Sequence, residues 1–401
     1  LILTSIRLVE PVIKASDTAS TFGMYVKFSN NEIAEAELIS ADPRSELAVI
    51  RVEIDGKNKK HESLAPVNFS QEPILAKGSI LIAMGDPFEI AKDGESSLAV
   101  TVVSNTGRSS NIDAERSMSE RSLHELGTLL TVDLPVRFTA PGTPLFDEQG
   151  NLVGLMRSRS LFSERDETVS YAIPLSQAFQ RIVDELSLGQ EVDYGFLGVS
   201  SETSSAEVLP RTGLSETQES AAIVIRVPDN SPAAVAGLER EDLILRVNDQ
   251  KIESNEDLIR EINLLKPGQN VELILYREGR GTFSTEVQLG KWPLYDDTLL
   301  VSTKKRFDDW RGLQVDYPTA RKRFLRDRFL AEYPAGVVVT SVANDSDAER
   351  AGLQVGQFIV KVNGQTVKSP EEFQRCVNGQ AEAKLDLPNG KELFISETLE
   401  Q

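Results

Sequence analysis

Side chains able to do nucleophilic, acid–base or metal chemistry are scarce in this 401-residue chain, which holds two histidines and one cysteine. His61 follows Lys59-Lys60 in a polar stretch, and His124 sits in Ser122-Leu123-His124-Glu125. Neither belongs to a His/Cys cluster with metal-ligand spacing. Neither is flanked by a serine loop of catalytic type, so both read as surface histidines. Cys376 has no second cysteine in the chain to pair with. These residues imply no metal and no cofactor, which leaves recognition as the route to function and turns attention to the elements that would carry it.

The net charge of −19 argues against nucleic acid, which needs clustered Lys and Arg to displace counterions, and against anionic membrane surfaces. Apolar residues make up 40% and charged residues 26%, ordinary for soluble globular protein. No run of about 18 apolar residues is present to span a bilayer as a helix. The chain opens at Leu1 inside an apolar segment, which reads as a processed or cropped chain in which any signal peptide would not be visible.

An internal repeat organises the second half. Ser231-Pro232-Ala233, Ala236-Gly237-Leu238 and Val247-Asn248 return as Ser346-Asp347-Ala348, Ala351-Gly352-Leu353 and Val362-Asn363, a constant offset of 346 − 231 = 115 residues. In each copy an apolar strand leads to a short helical turn closed by glycine. A buried strand follows (243–247 or 358–362), then a turn at Asn248-Asp249 or Asn363-Gly364. A helix next begins after a candidate N-cap, Ser254 or Ser369. The stripe Leu258, Ile262, Leu265 has helical spacing, and Pro267-Gly268 stops that helix. Strands at 271–276, 384–387 and 392–395 complete the modules. The first half alternates short strands with turn signals: 24–28, 47–52, 79–84, 99–103, 129–132, 152–156 and 169–173. Helical periodicity enters only at 176–186, so an all-β barrel or sandwich is expected there.

The ordered segments resemble the HtrA (Deg) family of serine proteases with PDZ domains. Asp42-Pro43-Arg44-Ser45-Glu46-Leu47-Ala48-Val49 is similar to the family's aspartate segment, and Ala83-Met84-Gly85-Asp86-Pro87-Phe88 to its Gly-Asn-Pro-Phe turn. Val102-Val103-Ser104 with Gly107-Arg108 resembles the next strand. Tyr171-Ala172-Ile173-Pro174, a helix, and Tyr194-Gly195-Phe196-Leu197-Gly198-Val199 resemble the junction to the PDZ domains. The resemblance covers essentially the whole chain. It implies a mainly β architecture: a trypsin-like double β-barrel with a linker helix over 1–187, then α+β PDZ domains over 190–294 and 296–401. The chain begins one strand late against the family pattern, so the first barrel is expected to be incomplete.

Matched residue by residue, the family's catalytic histidine falls on Arg7, its aspartate on Glu46 and its nucleophilic serine on Pro141, within Thr139-Ala140-Pro141-Gly142-Thr143-Pro144-Leu145. Serine chemistry needs a neutral base, and an arginine stays protonated. Proline supplies neither a hydroxyl nor the N–H of an oxyanion hole. These changes lead to the expectation of an inactive serine endopeptidase homologue, with Arg7 and Glu46 either ion-paired or unrelated.

PDZ domains add an extended chain beside a sheet edge and capture its carboxylate with backbone N–H groups. The resemblance places the first groove at Gly195, Phe196, Leu197, Gly198, Val199 and Ile262. The second falls at Gly312, Leu313, Gln314, Val315 and Val377, with Gln314 matched to Gly198 and capture therefore expected to be weaker there; the same apolar residues read equally as core. The basic segment 319–333 reads as an inserted helix packed on the second module, or else a docking surface for acidic groups.

The resulting expectation is a pseudoprotease that binds unfolded polypeptides or protein C-termini as scaffold, chaperone or regulator in protein quality control. It would be periplasmic, cell-envelope or secreted, and would form a homo-oligomer (trimer) or assemble with an active HtrA-like partner. The alternatives are an active endopeptidase with a non-standard site and a non-catalytic subunit of active HtrA proteases.

Overall fold

The computed structural model describes residues 1–16, 23–28, 32–53, 65–68, 75–85, 96–108, 122–134, 140–157, 170–204, 218–294, 297–324 and 335–396. The chain divides into two compact units, Leu1–Val192 with Asp297–Arg306, and Asp193–Asp296 with Phe307–Gln401.

The first unit is built from two sheets. In the first, β1 (Ile2–Ser5) pairs with β4 (Leu47–Val52), β4 with β3 (Ile33–Asp42), and β3 with both β2 (Met24–Lys27) and the short strand Val301–Ser302. That last pairing, Val301 to Ala41 and Ser302 to Ser40, brings residues 297–306 back to this unit. Helix α1 (Ile6–Ser16) covers the sheet. Its Ile6, Val9 and Ile13 share one face and pack with Ala41 and Ala48. No helix is assigned here from sequence, because Pro11 weakens the helical signal without ending the helix. Strand β3 is likewise absent from the expected strands, although Ile33 to Leu38 alternate in exposure along a period of two.

The second sheet closes into a barrel in the order β10 (Ser170–Pro174), β7 (Leu129–Val132), β6 (Ser97–Arg108), β5 (Ile80–Gly85), β8 (Pro144–Phe146), β9 (Leu152–Met156) and back to β10. Leu81, Ala83, Val103, Leu130, Val132, Leu145, Val153, Met156 and Ala172 fill it. Helix α2 (Gln177–Ser187) follows with Phe179, Ile182, Val183 and Leu186 buried. The architecture is the mainly β, trypsin-like one that the resemblance implied, an open sheet and a closed barrel followed by two PDZ domains.

The second unit contains both repeat copies. In the first, strands run in the order 200–203, 222–226, 243–247, 270–277, 281–288. In the second, 313–316 pairs with 337–342 and that with 358–359, beside a separate four-stranded sheet. The repeat is visible atom by atom. Ser231 Oγ accepts from Ala234 N–H, as Ser346 Oγ does from Glu349 N–H. Ser254 and Ser369 cap their helices (Asn255–Asn263 and Pro370–Val377) in the same way, accepting from Asp257 and Glu372 N–H. Asn248 and Asn363 both turn the chain with left-handed φ, at 49° and 50°.

Within 319–333, Pro318–Ala320 form a 3-10 turn and Arg321–Phe324 a short helix, with Arg321 lying over the Phe358 ring; residues 325–333 fall outside the described ones.

Candidate functional site

Three segments meet where β1 ends. Ile6 N–H donates to the Glu46 carbonyl (2.9 Å). The turn Ala140–Thr143 adjoins them: a Cβ on Gly142 would stand 2.9 Å from Thr4 Oγ1 and 3.3 Å from Ser5 N. The fold thus draws Arg7, Glu46 and Pro141 into one neighbourhood. Thr139 is outside the described residues.

Local chemistry explains each placement. Asp42 is buried and its carboxylate accepts from Ser45 N–H (2.7 Å), which folds 42–46 into a turn and leaves Glu46 at φ +57°. Glu46 points inward and takes a bidentate pair from Arg157, Nε to Oε2 at 2.8 Å and Nη2 to Oε1 at 2.6 Å. Burial alone would raise the Glu46 carboxyl; the Arg157 hydrogen bonds and neighbouring cationic charge outweigh it and hold the pKa at about 2. Arg7 is half exposed and pairs with Glu10 one turn along its own helix (2.9 Å). The expected alternatives for Arg7 and Glu46 resolve into two separate pairs, since the buried carboxylate faces the barrel and the arginine faces solvent.

His124 corrects a second expectation. It is fully buried, not on the surface. Its Nε2 lies 2.7 Å from the Ser45 carbonyl, so this nitrogen carries the proton, and Nδ1 lies 2.9 Å from Thr128 Oγ1. Its ring stacks on Phe179. Burial drives its pKa down to about 4, against the pull of Glu46 and the Ser45 carbonyl. The apolar periodicity Leu123, Leu126, Leu129 was the available signal for burial. His61 lies outside the described residues.

In the PDZ modules, Leu197 and Ile262 are buried in one core, and Leu313 and Val377 in the other. Val199 and Val315 pack against these cores from partly buried positions. Gly195–Phe196 pair with Gly290–Lys291. The outer strands 200–203 and 313–316 each stand at the edge of a sheet, beside the helices 255–263 and 370–377.

The loop correspondence differs from the one read in the sequence. Gly198 and Gly312 share φ +78°, and a Cβ on either would strike the N-cap serine of its own module, Ser231 or Ser346. Ala233 N–H donates to Leu197 O, and Ala348 N–H donates to Arg311 O. Ser201 pairs with Val224 as Val315 pairs with Val339. The loops therefore match at 312 − 198 = 114 residues, one fewer than the repeat offset. Gln314 stands where Ser200 does, not where Gly198 does, and the ground for a weaker second module disappears. Arg311 takes the place of Leu197 and Trp310 that of Phe196.

Comparison with known proteins agrees with this architecture. Residues 1–155 match the trypsin-like peptidase domain family, and residues 195–288 and 338–387 match PDZ domains. The chain is 29% identical over 370 residues, 91% of its length and 66% of the relative's, to a probable periplasmic serine endoprotease DegP-like of Rhizobium meliloti. It is 28% identical over 345 residues to the protein so named in Brucella suis, covering 86% of this chain and 61% of that one. The chain thus spans under two thirds of these relatives' length. Among solved structures, HtrA-type protease AlgW with a tripeptide superposes with a TM-score of 0.53 at 22% identity, covering 73% of this chain and 85% of the other.

Fold and matches together define a trypsin-like peptidase domain carrying two PDZ domains. The chain is similar over most of its length to proteins named DegP-like serine endoproteases. The expectation that it is no enzyme is corrected by these relatives, which carry the name serine endoprotease over most of the chain. That expectation rested on three positions alone.

Proposed function

We propose that this chain handles polypeptides in protein quality control in the periplasm, binding extended segments and C-termini as added strands on its PDZ modules. One observation supports this above the others: the outer strands 200–203 and 313–316 are both edges, each preceded by a glycine at φ +78°. An edge offers unpaired N–H and C=O groups to a partner strand, and main-chain bonds of this kind bind without a fixed sequence. On this reading Arg7, Glu46 and Pro141 occupy the family's triad positions, and Gly195 to Val199 and Gly312 to Val315 border the grooves. The test is hydrogen exchange of the full chain with and without an excess of alternating apolar peptide. Slower exchange at 200–203 or 313–316 supports the reading, and protection confined to other segments sinks it.

Endopeptidase activity is a second reading for the same chain, favoured by 28–29% identity over 345 to 370 residues with relatives of that name. Its attacking group would not stand at position 141, where proline has no hydroxyl. Turnover of unfolded casein above a buffer control checks it directly, and no turnover at micromolar protein would reject it.

A further inference from the structure

The two PDZ loops differ in one respect that bears on ligand class. In the second module Trp310 and Leu313 face each other as an antiparallel bridge. Trp310 N–H donates to Leu313 O (3.1 Å) and Leu313 N–H donates to Trp310 O (2.9 Å). Between them Arg311 and Gly312 are both left-handed, at φ 55° and 78°. Two successive left-handed residues closed by reciprocal bonds form the tight turn of a two-residue hairpin. In the first module Leu197 is not left-handed while Gly198 is, and Phe196 instead pairs across to Gly290. An alternation of hand is what turns successive N–H groups toward one point, the concave arrangement that holds an anion. Two left-handed residues in a row do not alternate in this way.

The side chains deepen the contrast. Arg311 reaches the Ala381 carbonyl (3.0 Å) and Asp347 (3.4 Å), and Trp310 Nε1 reaches the Gln380 carbonyl (3.4 Å). The Ala381 and Gln380 bonds tie the loop to the chain just past helix 370–377, and the Asp347 contact ties it to the short helix Asp347–Arg350. The first module has Phe196 and Leu197 at these places, and neither side chain donates a hydrogen bond.

We propose that the second module accepts an internal extended segment, while the first accepts a free C-terminus; this rests on the strand-addition reading above. Leu313 N–H, the counterpart of Val199 N–H, is committed to Trp310 and does not serve a carboxylate. The edge 313–316 remains as a strand template, and a strand template makes no demand that the added chain should end.

Photocrosslinking of the full chain distinguishes the ligand classes. The probe is a benzophenone-bearing decapeptide of alternating Val and Thr ending in Val, prepared as free acid, as C-terminal amide, and extended by five further residues. Labelled segments are located by mass spectrometry. Crosslinks to 195–204 or 255–263 should fall about tenfold from acid to amide, the size of one charge-assisted hydrogen bond. Crosslinks to 313–316 or 370–377 should be equal within about twofold for all three forms. An acid preference of about tenfold at the second site overturns the proposal. Absence of labelling at both edges with every form removes the strand-addition reading instead. Arg311→Leu gives an independent check, because a side chain without the Ala381 and Asp347 bonds no longer holds position 311 left-handed. The variant should gain acid preference at the second site, and an unchanged acid-to-amide ratio there would count against the turn as its cause.

Discussion

At the scale of single residues, the buried trio of Glu46, Arg157 and His124 governs how the peptidase-fold unit responds to acid. An unfolded histidine titrates near 6.5, whereas His124 in the fold titrates near 4. Between these values the unfolded chain holds a proton that the folded chain excludes, so acid favours unfolding. The stability that this group contributes is complete above about pH 6.5 and gone by about pH 4. The difference corresponds to roughly 3 kcal/mol. Glu46 adds a second loss at lower pH, between its ordinary 4.5 and about 2, as protonation breaks its pair with Arg157. The two tryptophans, Trp292 and Trp310, both lie in the other unit, so fluorescence does not report this transition. Exchange protection in β4, corrected for intrinsic rates, should drop between pH 6.5 and 4.5. In His124→Gln, which cannot titrate, the drop over this range should largely vanish, leaving the carboxylate loss below about pH 4.5. A profile unchanged by that substitution would remove His124 as the cause. The burial of His124 was hard to read from sequence because a single histidine between apolar neighbours has no periodic mark of its own; its partner, the Ser45 carbonyl, lies 79 residues away.

At the scale of elements, the N-cap serines set the groove helices. Replacing Ser254 or Ser369 by Ala removes the bond to Asp257 or Glu372 N–H and should cost about 1 kcal/mol in either module. Tryptophan fluorescence during denaturant unfolding measures it, since both tryptophans lie in this unit. A loss below about 0.3 kcal/mol in both variants would show that the caps are not limiting. These helices were readable in advance because caps, apolar stripe and stop signals agree within a dozen residues. So were most barrel strands, bounded by turns. The loop correspondence was not, because a gapless offset of 115 from residue 231 onward gives no warning of the one-residue difference upstream. The contacts of Gly198 and Gly312 with Ser231 and Ser346, the bonds to the Leu197 and Arg311 carbonyls and the strand register reveal it. Helix α1 escaped because Pro11 and the flanking β-branched residues argue locally for strand. Packing of Ile6, Val9 and Ile13 against Ala41 and Ala48 decides otherwise.

At the scale of the whole molecule, a buried ion cluster links the two PDZ modules within one unit. Lys291, at the end of the first module, is almost fully buried and bonds both Asp193 (2.9 Å) and Asp316 (2.6 Å), the latter on the outer strand of the second module. Its carbonyl accepts from Thr319 Oγ1 at 2.6 Å. Tyr317 donates to Glu371 (3.1 Å), and burial together with the facing carboxylates raises its phenol well above the ordinary value, so it stays a donor at neutral pH. A charge so enclosed is favourable only while its partners are present: breaking a buried pair costs roughly 3–5 kcal/mol, whereas replacing all its members by apolar groups is often neutral. Lys291→Met leaves one buried and one partly buried carboxylate without their shared cation and should destabilise the joint far more than loss of the surface pair Arg240–Glu241, whose side chains are more than 70% exposed. Because the cluster sits between modules that each have their own core, the loss should separate their unfolding, turning one calorimetric transition of this unit into two. Adding Asp193→Asn and Asp316→Asn to Lys291→Met should restore part of the stability and bring the two transitions back together. A single transition in Lys291→Met, lowered by no more than in an Arg240→Met control, would mean that apolar packing and not the lysine couples the modules.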